Sequence, residues 1–283
     1  MPVVPMREIL EDAFRHRYGV GAFNFVDGLT MEAVLHAAAM TKSPVILQAS
    51  VKTVRHMGAR LIRLMFDEMA SRVVVPAVLH LDHCPERAVI EECVAAGWGS
   101  VLFDASRLSY EDNLAQTREV VAMAHDHGVA VEGELEAIHG VEDDICGDQA
   151  GPVVALDRAV RFVRETRVDS FAPAIGTAHG LYKGEPRIDF DRVSAIVAAE
   201  PVPLVVHGGT GLSDAMFQGL IRRGAVKINI STQLKITFAD SFRAYLNRHT
   251  AEYDPLKLIG SVREDVAAMA VSYMRVFGSE GRA

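Results

Sequence analysis

Eight short apolar runs recur along the chain, and each is followed by a longer stretch in which apolar positions return every three or four residues. The runs are Gly19–Phe25, Pro44–Ser50, Val75–Asp82, Ser100–Ala105, Val129–Leu135, Ser170–Gly176, Pro203–Gly209 and Ala225–Ile230. They are continuous rather than alternating, which marks strands buried on both faces and therefore a parallel sheet. The stretches between them, such as Thr30–Met40, Asn113–Ala124 and Asp157–Thr166, carry helical spacing. Gly97 and Gly128 stand where a left-handed cap ends a helix before the next strand. Eight strand–helix units predict an α/β fold, a (β/α)8 TIM barrel, because that barrel takes about 250 residues. No linker or composition shift divides the chain, so one catalytic domain over residues 1–283 is expected. A doubly wound open sheet competes, but it usually has fewer strands, and no GxGxxG follows the first run.

A barrel of this kind carries chemistry at the C-terminal ends of its strands. Asn24, Gln48, Ser50, Asp82, His83, Asp104, Glu132, Glu134, His179, His207, Lys227 and Asn229 all fall there. A purely structural barrel has no reason to load one rim in this way, so an enzyme is expected. Of eleven histidines, His16, His36, His56, His125, His127 and His249 lie in helical or polar stretches and read as solvated surface. His80 reads as a packed barrel residue or a partner to the site, and His139 lies in a loop. His83, His179 and His207 end three different strands. Three imidazoles on one rim make an open zinc site with a position left for a substrate oxygen. Asp82 either orients a metal-bound ring or faces the substrate as an acid/base. Neighbours 82 and 83 cannot point the same way in a regular strand, so the strand is expected to break there.

Gly208-Gly-Thr-Gly211 and Ile230-Ser-Thr232 follow strands seven and eight, where a barrel usually holds phosphate. Glycine lets backbone N–H groups approach an anion, Thr210 and Thr232 add hydroxyls, and Lys183 adds a charge. The net charge of −8, with Lys and Arg scattered, argues against nucleic acid. An anionic substrate would then need a local positive field at the site. No apolar run is long enough for a membrane span. The first residues lack a secretion-signal layout, and Cys84, Cys93 and Cys146 show no CxxC spacing. A cytoplasmic location is expected.

Leu81-Asp-His83, Gly176-Thr-Ala-His-Gly180, His207-Gly-Gly-Thr-Gly211 and Lys227-Ile-Asn-Ile230 resemble the class II ketose-bisphosphate aldolases, which include the fructose-1,6-bisphosphate and tagatose-1,6-bisphosphate enzymes. Gly21–Asn24, Asp104–Ser106, Val131–Leu135, Glu142–Asp144 and Gly278–Ala283 extend the resemblance from end to end, in family order. It implies Zn2+ on His83, His179 and His207, with Asp104 and Glu134 as an alternative, buried metal position. It implies Asp82 as the acid/base on the C4 hydroxyl, and Glu142, after strand five, as the group that moves the C3 proton. Gly180, Lys183, Gly208, Thr210, Asn229 and Thr232 match positions that hold dihydroxyacetone phosphate. Asn24, Ser50, Gly209, Ser231 and Lys235 complete the expected contacts with a small phosphorylated sugar. A monovalent cation (Na+ or K+) and a homodimer or homotetramer are also implied.

The chain departs from that pattern in three places. Thr210 stands for a usual Ser, with the hydroxyl kept. Glu136 replaces a common Gly. Ser231 is neither the Asp of fructose-type nor the Ala of tagatose-type enzymes. Fructose-1,6-bisphosphate is the expected substrate, with tagatose-1,6-bisphosphate or another ketose phosphate as alternatives. Three rivals compete: a metal-dependent hydrolase, which usually takes His-x-His from strand one where this chain has Asn24; a Schiff-base aldolase using Lys227; and a barrel that only binds a sugar phosphate.

Overall fold

Each of the eight apolar runs supplies one strand of a closed parallel barrel. The computed structural model describes residues 3–142, 145–147, 153–182 and 184–283, without the side chains of 139, 141, 142 and 145–147. Its strands are β1 (Val20–Asn24), β2 (Val45–Ser50), β3 (Ala77–Cys84), β4 (Ser100–Phe103), β5 (Ala130–Glu134), β6 (His139–Glu142), β7 (Ile145–Gly147), β8 (Ser170–Ala172), β9 (Ala178–His179), β10 (Leu204–Val206) and β11 (Ala225–Ile230). The barrel order is β1-β11-β10-β8-β5-β4-β3-β2. Outside it, β6 pairs antiparallel with β7 and parallel with β9, a small sheet that the apolar pattern did not announce.

The interior of the barrel changes character along its axis. Val20, Ala22, Ile46, Val78 and Ala130 cluster at the floor with Met6, Ile9, Leu10 and Ala13 of the helix Met6–His16. Those helix positions recur every three or four residues and so form one apolar face, which plugs the barrel. Side chains on a strand alternate, so two residues further on the same line stand Asn24, Gln48, His80 and Glu132. The line thus turns from apolar to polar in a single step. Asn24 pairs in register with Gln48, and Gln48 with His80, so these polar groups share one level of the barrel.

The expected break at Asp82–His83 is instead a bulge. Leu81 pairs with Val101 and Cys84 with Phe103, so β3 carries one residue more than β4 over that step. His83 takes up the extra length at φ 43. A bulge re-aims side chains at a barrel rim, and here two neighbours can both serve the mouth. Among the described residues no helix is long and apolar enough to cross a membrane.

Leu10 is 1% exposed in the floor plug. Leu10→Ala is expected to cost roughly 2–5 kcal/mol, read as a lower denaturant midpoint. An unchanged midpoint would contradict the plug.

Candidate active site

Three imidazoles from different strand ends meet at the mouth of the barrel. His83 ends the β3 bulge, His179 closes β9, and His207 follows β10 directly. Ring centroids lie 4.9 Å apart for His83–His179, 4.5 Å for His83–His207 and 5.8 Å for His179–His207. One ligand atom from each falls within 4.8 Å of the others. His83 Nδ1 lies 3.1 Å from Asp104 Oδ2, and His207 Nε2 lies 2.8 Å from Glu132 Oε1. A carboxylate only accepts, so both of those ring nitrogens carry protons. The other two nitrogens, His83 Nε2 and His207 Nδ1, lie 2.7 Å apart, a distance at which they either share a proton or turn both lone pairs to one metal ion.

The surrounding charges point the same way. Burial alone would depress His83, but the carboxylates of Asp82, Glu134 and Asp104 outweigh it and hold the ring well above its ordinary value. Burial, with Asp104 alongside, pushes Glu134 well above the carboxylate range. Burial would raise Glu132 too, but Lys227 and His207 outweigh it and hold Glu132 low. The donor set of three imidazoles, two of them oriented by carboxylates, fits a divalent ion of the zinc type. His83, Asp104 and Glu134 form a second group within 4.8 Å, sharing His83 with the first.

Asp82 is 1% exposed and held from two sides. Asn24 Nδ2 donates to Oδ2 at 2.8 Å, and Asn229 Nδ2 donates to Oδ1 at 3.3 Å. Gln48 Nε2 in turn donates to Asn24 Oδ1 at 2.6 Å, and Lys227 Nζ to Asn229 Oδ1 at 2.8 Å. Lys227 also lies 2.9 Å from Glu132 Oε2. The carboxylate of Asp82 therefore has little rotational freedom and faces the imidazole cluster. The bonds of Lys227 count against a Schiff base: its amine is fully buried and engaged by a carboxylate.

The expected phosphate turns form a small recess beside this cluster, lined by His179, Gly180, Gly208, Gly209, Thr210, Asn229, Ser231 and Thr232. Gly208 sits at φ 65, and a Cβ there would lie 2.2 Å from the carbonyl of Ala178. Gly140 is constrained likewise, since its Cβ would lie 2.3 Å from the carbonyl of His179. Both glycines let neighbouring backbone pack against β9. Tyr182 ties the two turns together: its hydroxyl donates to Gly208 O at 2.8 Å and accepts from Ala178 N at 3.0 Å. The helix Thr232–Arg248 starts at the recess, with no side-chain cap from Ser231. Ser231 lines the recess, and its buried Oγ has no hydrogen-bond partner among the described residues. The positive end of a helix and a spare hydroxyl suit an anion.

Some predicted residues stand differently. Ser50 is the N-cap of the helix Val51–Met57, accepting from Thr53 N at 3.4 Å, so its hydroxyl has a structural task. Thr210 Oγ1 accepts from Gln233 N at 3.1 Å. Lys235 is half-buried in the second turn of the helix Thr232–Arg248. Lys183 lies outside the described residues, and Glu142 is described only in its backbone, on β6. His125 is not simply solvated: it is half-buried and bonds Asp169 at 2.8 Å. His80 is buried, with Nδ1 2.9 Å from Ser100 Oγ, and burial with nearby Lys227 holds its ring well below the ordinary value. Glu132 and Gln48 were read as rim residues but given no role. The i, i+2 spacing of Glu132 and Glu134 was the available signal, because it puts both on the inner face. A wider cleft of about 770 Å3 opens at the other end, between Arg7, Phe14, Arg167 and Pro203, away from these groups.

Known proteins share this chain's sequence and fold along its whole length. A family model described as "Fructose-bisphosphate aldolase class-II" matches residues 4–282. The chain is 38% identical to a fructose-bisphosphate aldolase of Geobacillus stearothermophilus, over all of this chain and 99% of that one. It is 36% identical to a sulfofructosephosphate aldolase of Alkalicoccus urumqiensis, again over all of this chain and 99% of the other. The crystal structure of the YdjI aldolase from Escherichia coli K12 superposes with a TM-score of 0.87 at 31% identity, covering 99% of each chain.

Removing Lys227 leaves the Glu132 charge uncompensated inside the barrel. Lys227→Met is expected to lose roughly 3–5 kcal/mol of stability. Glu132→Gln keeps the shape and is expected to weaken metal binding about 10–100-fold, measured by competition with a chromophoric chelator. Wild-type affinity in Glu132→Gln would contradict its hold on His207.

Proposed function

The chain belongs to the class II fructose-bisphosphate aldolases, and from that premise we propose that it cleaves and forms a ketose 1,6-bisphosphate, fructose-1,6-bisphosphate first among them, using zinc. The products of cleavage are dihydroxyacetone phosphate and an aldehyde phosphate. The observation that carries this reading is the convergence of His83, His179 and His207 beside the carboxylate of Asp82 and the glycine-rich recess.

His83, His179 and His207 would hold the ion, with Asp104 and Glu134 beside His83 as the alternative, buried position. Bound there, zinc supplies a Lewis acid that polarises the ketose carbonyl and stabilises the charge developing next to it. The N–H groups of Gly208 and Gly209, the hydroxyls of Ser231 and Thr232, and the start of the helix Thr232–Arg248 take the phosphate, with Gly180, Lys183, Thr210 and Lys235 around it and a monovalent cation alongside. Asp82 accepts the proton from the C4 hydroxyl during cleavage and returns it in condensation. Asn24 and Asn229 keep its two oxygens aimed. Glu142 moves the proton at C3. We read residues 1–283 as one catalytic barrel that works as a homodimer or homotetramer. The buried free thiols of Cys84 and Cys93 suit a reducing cytoplasm.

A second reading concerns the far end of the sugar. Ser231 departs from both sugar types, and a sulfofructosephosphate aldolase is nearly as similar as the fructose enzymes. Fructose, tagatose and sulfofructose phosphates, assayed side by side for triose phosphate release, identify the substrate.

Asp82→Ala is expected to retain zinc and lose roughly 10²–10⁴-fold in turnover, the usual contribution of a general acid/base. Chelation should abolish cleavage in the unmodified protein, and borohydride should trap no substrate adduct on Lys227. Wild-type turnover by Asp82→Ala, or full activity without metal, would refute the reading.

A further inference from the structure

Glu136 lies two residues beyond the end of β5, where the family commonly has glycine, and it is 3% exposed. Oε1 accepts from Val154 N at 3.3 Å, and Oε2 accepts from Ala174 N at 3.2 Å. Arg192, in the helix Phe190–Ala199, donates through Nη2 to Oε1 and through Nη1 to Val154 O at 2.9 Å. The N–H and the C=O of Val154 are therefore both held by one buried ion pair.

The connectivity gives this arrangement its meaning. The chain leaves the barrel at Glu136, makes the hairpin β6–β7, and returns at Val154. The pair joins the outgoing and returning stems at the neck of that excursion. It also grips Ala174, at the start of the stretch that leads to His179. Gly140 of β6 pairs with His179, so the hairpin is bound both to its own stems and to the segment carrying an imidazole of the cluster. Burying a carboxylate and a guanidinium is costly unless they are well partnered; both Glu136 oxygens and both Arg192 Nη groups are bonded, and Arg192 Nε has no partner among the described residues. A glycine at this position could make none of these bonds.

We propose that Glu136 and Arg192 form a positioning clasp, which closes the neck of the β6–β7 hairpin and so fixes where Glu142 stands relative to the imidazole cluster. This rests on the proton-moving role proposed for Glu142. Neither residue touches substrate. Both act through the hairpin.

Exchange of solvent deuterium into dihydroxyacetone phosphate, without an aldehyde present, reads proton movement apart from carbon–carbon cleavage. In the zinc-loaded enzyme, Glu136→Gln and Arg192→Lys are expected to slow this exchange and kcat by about 10–100-fold, because small misplacements of a reacting group cost rates of that order. KM and zinc content should stay near wild type, while amide exchange across residues 137–142 rises. The double variant should be no slower than the slower single one, because the two residues act as a unit. Arg192→Lys keeps a charge for Glu136, which guards against a failure of Glu136→Gln to fold. Wild-type proton exchange and amide exchange in both folded variants would overturn the clasp. So would loss of zinc in both, since the pair would then be holding the metal site together. Unchanged proton exchange in Glu142→Gln overturns only the role of Glu142 and leaves the clasp to the amide measurement.

Discussion

The Glu132 carboxylate, fully buried between Lys227 and His207, is the interaction on which the mouth of this barrel depends. It turns the lone pair of His207 Nδ1 toward His83 and keeps an ammonium in the barrel wall. The same ammonium reaches Asn229, and Asn229 reaches Asp82. One buried ion pair thus orients the His207 imidazole on one side and the Asp82 carboxylate on the other. Among the described residues, the carboxylates of Asp82, Asp104 and Glu132 are offset by the Lys227 ammonium and by His83, whose ring its carboxylate neighbours hold well above the ordinary value, while Glu134 is pushed toward its neutral form. A divalent cation among the imidazoles would take the place of the His83 proton, so the cluster favours a cation electrostatically as well as offering the right ligands.

The fold was legible because its strands are buried on both faces. Continuous apolar runs then mark strands, and all eight lie in the barrel. The sheet β7-β6-β9 was not legible, since its strands are only two to four residues long, mix polar and apolar residues, and pair β6 with β9 across a long separation. His83 also outran local rules. The conflict with Asp82 was visible in the alternation, but whether β3 would break or bulge depended on how β4 paired with it. His125 read as surface because its partner, Asp169, is distant in sequence.

The same division holds within the site. The imidazoles and Asp82 stand at strand ends and could be identified by position and chemistry. Gln48 and Tyr182 act through bonds to Asn24 and Gly208, partners brought close only by barrel closure. Gly208 was expected to serve an anion, and it also admits the backbone of Ala178. Glu136 was noticed only as a departure from glycine. Its meaning came from Val154, Ala174 and Arg192, which no local spacing connects to it.

The floor of the barrel is apolar and plugged, its rim polar and charged, so stability and chemistry occupy opposite ends of the same strands. The chemistry proposed for that rim needs three imidazoles to share one divalent ion. X-ray absorption at the zinc edge of the loaded protein tests it most directly. One zinc per chain is expected, with nitrogen and oxygen neighbours at about 2.0–2.1 Å and the multiple-scattering signature of three imidazoles. A sulfur neighbour near about 2.3 Å, or a signal without those rings, would contradict it.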